Sequence, residues 1–459
     1  MVYKDEKELF DHSNIKIVHS KAEIKDLDSF KEKTVENLVD TLIMSRSIQL
    51  KKICHWVVHE ACDKFGIIPS SIQALYKARA KDILIHFTVP AINLRTLTFD
   101  SARAVFRAAK KINAGAFIFE IARSEIDYAE QRPQEYSTYV ILAAIKEGFS
   151  GPLFIQGDHF QVNAKNFLHD KDREINQLKD LISEAIQAGF YNIDIDSSTL
   201  VDLYKLTVNG QQRLNYEVCA LFTKFIRELQ PKGIEISIGG EIGEVGGKNS
   251  TLEELRAFMQ GYISKIQGIT GISKISIQTG TTHGGVVLPD GSIAKVKIDF
   301  DTLKSLSQIA RTEFGMAGAV QHGASTLPKD AFGRFPEFEC AEIHLATQFQ
   351  NIVYDYLPSP LKEEIYTWLQ KNCADEKKPE QTDDQFIYKT RKKALGPFKK
   401  EIHSLPRDVK DEISSALEEE ISFLFEKLNI KDTKALVDNY IKPITVEKKK
   451  EDFIIQELY

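Results

Sequence analysis

Four stretches of this chain place metal-type ligands directly after a short apolar, β-branched run. They read FIQGDH, with Asp158 and His159; SIGGEIG, with Glu241; IQTGTTHG, with His283; and AVQHGAS, with His322. Imidazole and carboxylate side chains hold a divalent cation such as zinc, and three histidines on one cation leave a coordination position open for catalysis. A carboxylate beside such a centre, here Asp158, can move a proton to or from whatever the metal holds. Each motif also has a plainer reading. Asp158 could cap the helix that follows, and His283 could sit in an ordinary surface loop. Against the second stands the glycine content: Gly280, Gly284 and Gly285 allow close backbone approach, and exposed amides in such a loop can hold a phosphate. After His322 come a glycine and two hydroxyl donors, Ser325 and Thr326.

Residues so far apart in sequence converge only if the elements carrying them open onto one face. From about residue 81 to 355 the pattern alternates strand and helix. Strands are predicted at 83–89, 116–121, 152–156, 191–196, 233–239, 273–278, 318–321 and 341–347. Helical segments such as FDSARAVFRAAKKIN and TLEELRAFMQGYI separate them. Eight strands, each with a following connection, make a parallel (β/α)8 barrel of the TIM type the economical fold, and its strand ends share one mouth. An open doubly wound sheet would bind a nucleotide at a glycine-rich first turn, and FTVPAINLRTLTFD has no glycine. His86 and His344 fall within strands and are expected to face the barrel interior or its wall.

Two further regions flank the barrel. Residues 1–80 read as a charged, helical N-terminal extension. Cys54, His55, His59 and Cys62 lie there at helical spacing and are expected to pack rather than bind zinc, since no second ligand pair follows. Residues 356–459 read as a charged helical C-terminal region, with CADEKKPEQTDDQ as an exposed loop. Charge runs there are expected to be solvated helix faces. A basic side chain such as Arg391 or Lys392 reaching a neighbour's site is the other reading.

A net charge of −6 gives no sign of a nucleic-acid or acidic-membrane partner. Five cysteines without a CxxC pair, and no apolar N-terminal segment, point to a reducing cytoplasm. No apolar stretch approaches the ~18 residues that a membrane span requires.

Taken together over most of 83–352, these motifs resemble the class II, metal-dependent fructose-bisphosphate/tagatose-bisphosphate aldolase family. VPAINL resembles the family's PAFN strand, and GFYNIDIDSS its fourth-strand motif ending in an aspartate, here Asp196. EIGEVGG is similar to ELGxxGG, GTTHG to GxxHG, HGAS to HGGS, and HLATQFQ to the last-strand NxxT segment. The resemblance implies aldol cleavage of a ketose phosphate, such as fructose 1,6-bisphosphate, to dihydroxyacetone phosphate and an aldehyde through a zinc-stabilised enediolate. It implies a place in carbohydrate metabolism, glycolysis included. Carried over residue by residue, it makes His159, His283 and His322 the ligands of Zn2+ or another divalent metal. Glu241 becomes an alternate metal ligand with Asp196 near it, and Asp158 the proton-transfer group. Gly284, Gly323, Ser325 and Thr347 fall on phosphate-holding positions, and His344 on the asparagine that touches the enediolate. A monovalent cation is a further candidate cofactor. A homo-oligomer acting on a small-molecule sugar phosphate, with neither nucleic acid nor membrane as partner, is the expected working form.

The chain departs from the family pattern around the metal. Gln156 stands where a histidine is usual, Lys248 and Asn249 where acids follow the glutamate motif, and Arg123 where a phosphate-side serine is usual. The lysine after GxxHG is missing, with Lys295 or Lys297 as substitutes. Two other classes fit less well: an accessory, non-catalytic barrel, against which the retained ligands argue, and a metal-dependent hydrolase. The hydrolase would carry an HxH pair on its first strand, where only His86 is present.

Overall fold

A computed structural model describes residues 1–19, 21–243, 248–281, 288, 298–325 and 327–454. Eight short parallel strands close into a barrel: β1 Val89–Asn93, β2 Ile118–Ala122, β3 Ile155–Gln161, β4 Asn192–Asp196, β5 Ser237–Glu241, β6 Lys274–Ile277, β7 Ala319–Gln321 and β8 Glu342–Leu345. Each pairs with its neighbours in chain order, and β8 closes on β1 through Glu342–Val89 to Leu345–Ile92. Outward side chains such as Ile92, Ile193, Ile238 and Ile275 are buried under the surrounding helices. Those helices start where local chemistry tells them to. Thr251 and Glu254 form a capping box before Leu252–Ile266, and Asp299 accepts from the Thr302 amide to open Phe300–Thr312.

The barrel interior is polar. Glu120, Gln156, Asp194, Lys274 and Glu342 are all buried inside it. Lys274 Nζ lies 2.8 Å from Asp194 Oδ2 and also pairs with Glu342, while Gln156 donates to Glu120 at 3.0 Å and to Glu342 at 2.9 Å. Gly239 makes this packing feasible: a Cβ there would stand 2.3 Å from Asp194 Oδ1 and 3.0 Å from Lys274 Cε. The helix Gln73–Arg79 closes the N-terminal end, where the Tyr76 hydroxyl donates to Glu342.

Three expectations need correction. The first strand does not run over 83–89. It begins at Val89, because the buried Arg79 guanidinium takes the Leu84 and Phe87 carbonyls at 2.7 and 2.6 Å, and so ties that segment to the barrel floor. His86 therefore lies outside any strand and is exposed. The third strand is not 152–156. Gly151–Leu153 pairs with Ile67–Pro69 in a separate two-stranded sheet, and β3 starts at Ile155. Within the N-terminal region, Ile15–Val18 and Lys21–Ile24 form an antiparallel hairpin rather than a helix.

The helix Ile48–Phe65 buries Cys54, His55 and Cys62 in the core, and no metal-type cluster forms around them among the described residues. The C-terminal helix Arg407–Lys427 lies against Thr98–Lys111, where Arg107 and Lys111 both pair with Glu418. Among the described residues no helix is long and apolar enough to cross a membrane.

Candidate active site

Asp158 and His159 were expected just past a strand end; they lie inside β3. Gly157 pairs with Ile193 and Phe160 with Ile195, so both Asp158 and His159 oppose the single residue Asp194. This is a β-bulge, and His159 takes a left-handed φ of 38° within it. In a regular strand neighbouring side chains point to opposite faces. The bulge lets both reach the cavity at the barrel's C-terminal mouth.

His159 Nδ1 lies 3.1 Å from Asp196 Oδ2 and 3.3 Å from Glu241 Oε2. Burial works against a charge on this imidazole, but the carboxylates of Asp158, Glu241 and Asp196 outweigh it and raise its pKa well above the usual value. Burial, then the charge of Asp196, pushes Glu241 up to about 8. Asp196 is held down, despite burial, by hydrogen bonds with His159, Ser198 and Gln161. The His322 ring stands 4.2 Å, centroid to centroid, from His159, and its Nε2 lies 2.9 Å from Ser276 Oγ. Ligand atoms of His159, Glu241 and His322 all lie within 4.8 Å of one another, a donor set suited to a divalent cation.

His283 and Gly284 fall outside the described residues, as do Lys295 and Lys297. Gly323, Ser325, Thr347 and His344 line the same cavity, which has a volume of about 1060 Å³. Ser325 Oγ accepts from the amides of Ala346 and Thr347 at 2.8 and 3.1 Å, which orients it at the start of the helix Thr347–Tyr356.

The residues that depart from the family pattern have partners of their own. Lys248 pairs with Glu254 at 2.8 Å, and Asn249 donates to Asp299 at 3.1 Å. Arg123 lines the cavity while donating to the Gln161 carbonyl at 2.7 Å.

The sequence reading named His344 but missed the buried groups around it and several others lining the cavity. His344 meets Glu120 and Asp158 at 3.0 and 3.1 Å through Nδ1, and Glu342 at 2.7 Å through Nε2. Burial and the Asp158 charge raise Glu120 to about 7. Asn93 and Arg95 are both organised by Glu125, at 2.6 and 2.7 Å. Charged residues two apart in apolar strands, as in NIDID and EIHL, were the available signal for an inward polar face. From the C-terminal region, Lys378, Lys389 and Lys392 line the cavity of their own chain.

Fold and site together define a parallel α/β barrel with a metal-type cluster at its C-terminal mouth. The model of the family described as fructose-bisphosphate aldolase class-II matches residues 72–418, and the chain belongs to that family. The chain is similar to several solved structures. One is a Sinorhizobium meliloti 1021 protein described as a probable tagatose 6 phosphate kinase, 14% identical, covering 80% of this chain and 96% of that one at a TM-score of 0.51. A Campylobacter jejuni fructose-bisphosphate aldolase is 18% identical over 80% of this chain and 97% of that one, with a TM-score of 0.48. The YdjI aldolase of Escherichia coli K12 is 12% identical over 79% and 98%, with a TM-score of 0.47. No curated protein sequence matches the chain.

Proposed function

We propose that this chain is a metal-dependent aldolase that reversibly cleaves a ketose phosphate or bisphosphate into dihydroxyacetone phosphate and an aldehyde. The observation that carries this reading is the clustering of His159, Glu241 and His322, with His159, His322 and Asp158 lining one cavity, within a chain of the aldolase family. His159, His322 and Glu241 would hold the metal, joined by His283 on the family resemblance. Such a cation, when bound, polarises a carbonyl and steadies negative charge developing beside it.

The protein's own groups do the rest. Asp158 takes the proton from the hydroxyl on the far carbon of the scissile bond. The carbon–carbon bond breaks, that carbon becomes the aldehyde, and the electron pair passes to the three-carbon half. A proton delivered there completes the product. Asp196 fixes the ring of His159, and Gly323, Ser325 and Thr347 receive the phosphate. Lys378, Lys389 and Lys392 add positive charge to the cavity lining, which suits a second anionic group.

The test is release of dihydroxyacetone phosphate from fructose 1,6-bisphosphate by zinc-loaded protein, with and without a chelator. Chelator-sensitive release is expected. Absence of release from this and related ketose phosphates with the metal bound, or trapping of substrate on a lysine by borohydride, would overturn the reading.

A further inference from the structure

A second cavity opens at the end of the barrel away from the metal-type cluster. It has a volume of about 640 Å³ and shares no lining residue with the first. One wall belongs to the barrel: the helix Pro133–Glu147, and Tyr191, which immediately precedes β4. The other comes from outside it, from the helix Ile48–Phe65, the strand Ile67–Pro69 and residues 444–449. His55, His59 and Cys62, spaced about one helical turn apart in the sequence, all line it. We propose that this cavity is a ligand site for an uncharged, planar nitrogen heterocycle of nucleoside size.

Its floor holds hydrogen-bonding groups that the protein leaves unengaged. Tyr191, Ser137 and His55 are 2%, 1% and 9% exposed. Ser137 Oγ and the Tyr191 hydroxyl have no hydrogen-bond partner among the described residues. His55 meets Thr138 Oγ1 at 2.8 Å through Nδ1, and its Nε2 meets no further partner among the described residues. Buried polar groups are hydrogen-bonded as a rule, so three around one cavity point to a ligand that pairs with them.

Charge and shape narrow the class. Burial holds His55 down at about 4 and, with the nearby Lys448 ammonium, His59 at about 3, so both imidazoles are neutral at pH 7. Val58, Ile67, Ile68 and Ile141 complete the lining with apolar surface. A heterocycle uses both: its faces meet the aliphatic side chains while its ring nitrogens and edge groups meet Tyr191, Ser137 and His55. A polyol would set hydroxyls against the aliphatic surface, and a charge of either sign would find no counter-charge on the floor. Further out, the carboxylates of Glu60, Asp63, Glu447, Glu451 and Asp452 face three lysines. Two of those lysines are engaged, Lys21 with Glu447 at 3.6 Å and Lys448 with the Gln187 carbonyl. A phosphate would meet a net negative field there, whereas sugar hydroxyls can donate to the carboxylates.

The experiment is calorimetric titration of the full-length protein with adenosine, guanosine, cytidine and uridine, and with their 5′-monophosphates. Saturable binding of at least one nucleoside is expected, with its monophosphate weaker. Tyr191→Phe removes a hydroxyl that has no protein partner, so the fold should be retained and affinity should fall about tenfold. Ile68→Trp fills the cavity and should abolish binding. Absence of binding by every nucleoside overturns the proposal, and so does a monophosphate that binds more tightly than its nucleoside. Unchanged affinity in Tyr191→Phe, or binding retained by a folded Ile68→Trp, overturns it as well. Should Ile68→Trp fail to fold by circular dichroism, Tyr191→Phe decides alone. The titration needs no turnover, so loss of the aldolase reading would leave it standing.

Discussion

At the residue scale, the proposed reaction gives Asp158 and the histidines beside it different tasks, and substitution should separate them. In the proposed reaction Asp158 moves the proton, so Asp158→Asn should retain metal and lower kcat by roughly 10²–10⁴-fold, the usual reach of general acid–base catalysis. His322→Ala should lower metal content as well as turnover. Elemental analysis beside steady-state kinetics checks both, and full turnover in Asp158→Asn would remove that residue from the mechanism. Lys274 plays a different part, since it sits between two buried carboxylates. Lys274→Met leaves Asp194 and Glu342 without their ammonium partner. Breaking one member of a buried ion pair costs about 3–5 kcal/mol, so denaturant unfolding should show a loss of that size. A variant as stable as the wild type would mean that protons on the carboxylates replace the lysine without penalty.

At the scale of elements, the bulge in β3 aims the site, and Gly157 makes room for it. A Cβ on Gly157 would stand 2.5 Å from Cζ of Phe160, whose ring is fully buried. Gly157→Ala should therefore displace that ring at a cost of about 1–3 kcal/mol and weaken metal binding together with Tm. An unchanged Tm with metal retained would show that the bulge does not depend on this contact. The helix Ile48–Phe65 carries a second element-scale expectation. Burial depresses His55 from the ordinary 6.5 to about 4, and its Nδ1 lies 2.8 Å from Thr138 Oγ1. The unfolded chain takes up a proton near pH 6.5, and the folded chain only near 4. The contribution is thus complete above 6.5 and is lost as pH falls from 6.5 towards 4, by roughly 3 kcal/mol. Unfolding free energies measured between pH 7 and 4 should show the decline, and His55→Gln should flatten it.

These elements also show what the sequence could reveal. The eightfold strand–helix alternation was legible, and so were His159, Glu241 and His322 as metal-type residues that the barrel brings together, because apolar runs and glycine-flanked histidines are local signals. The bulge was not, because it depends on register against β4. The first strand was misplaced because Arg79, which claims the carbonyls of 84 and 87, acts from outside the window that propensity reads. Glu120 and Glu342 were passed over because a single charge inside an apolar strand reads as noise until the barrel brings its partners together.

At the scale of the whole molecule, the C-terminal region brings exposed lysines to the cavity of its own chain. Lys378, Lys389 and Lys392 put positive charge at the cavity wall of a protein whose net charge is −6. Long-range electrostatics alone would therefore disfavour a polyanionic substrate, and the local field at the mouth has to reverse that. Exposed lysines act through a screened potential, so their effect should fade with salt. For the Lys389→Ala/Lys392→Ala pair, KM for a ketose bisphosphate should rise roughly tenfold, equivalent to about 1.4 kcal/mol, while kcat changes little, because neither side chain touches the bond that breaks. Raising ionic strength should increase KM in the wild type and have a much smaller effect in the double variant. A ketose monophosphate without the distal phosphate should be nearly indifferent to both changes. Equal losses for the two substrates would instead mean that these lysines shape the cavity wall rather than recognise the second anionic group.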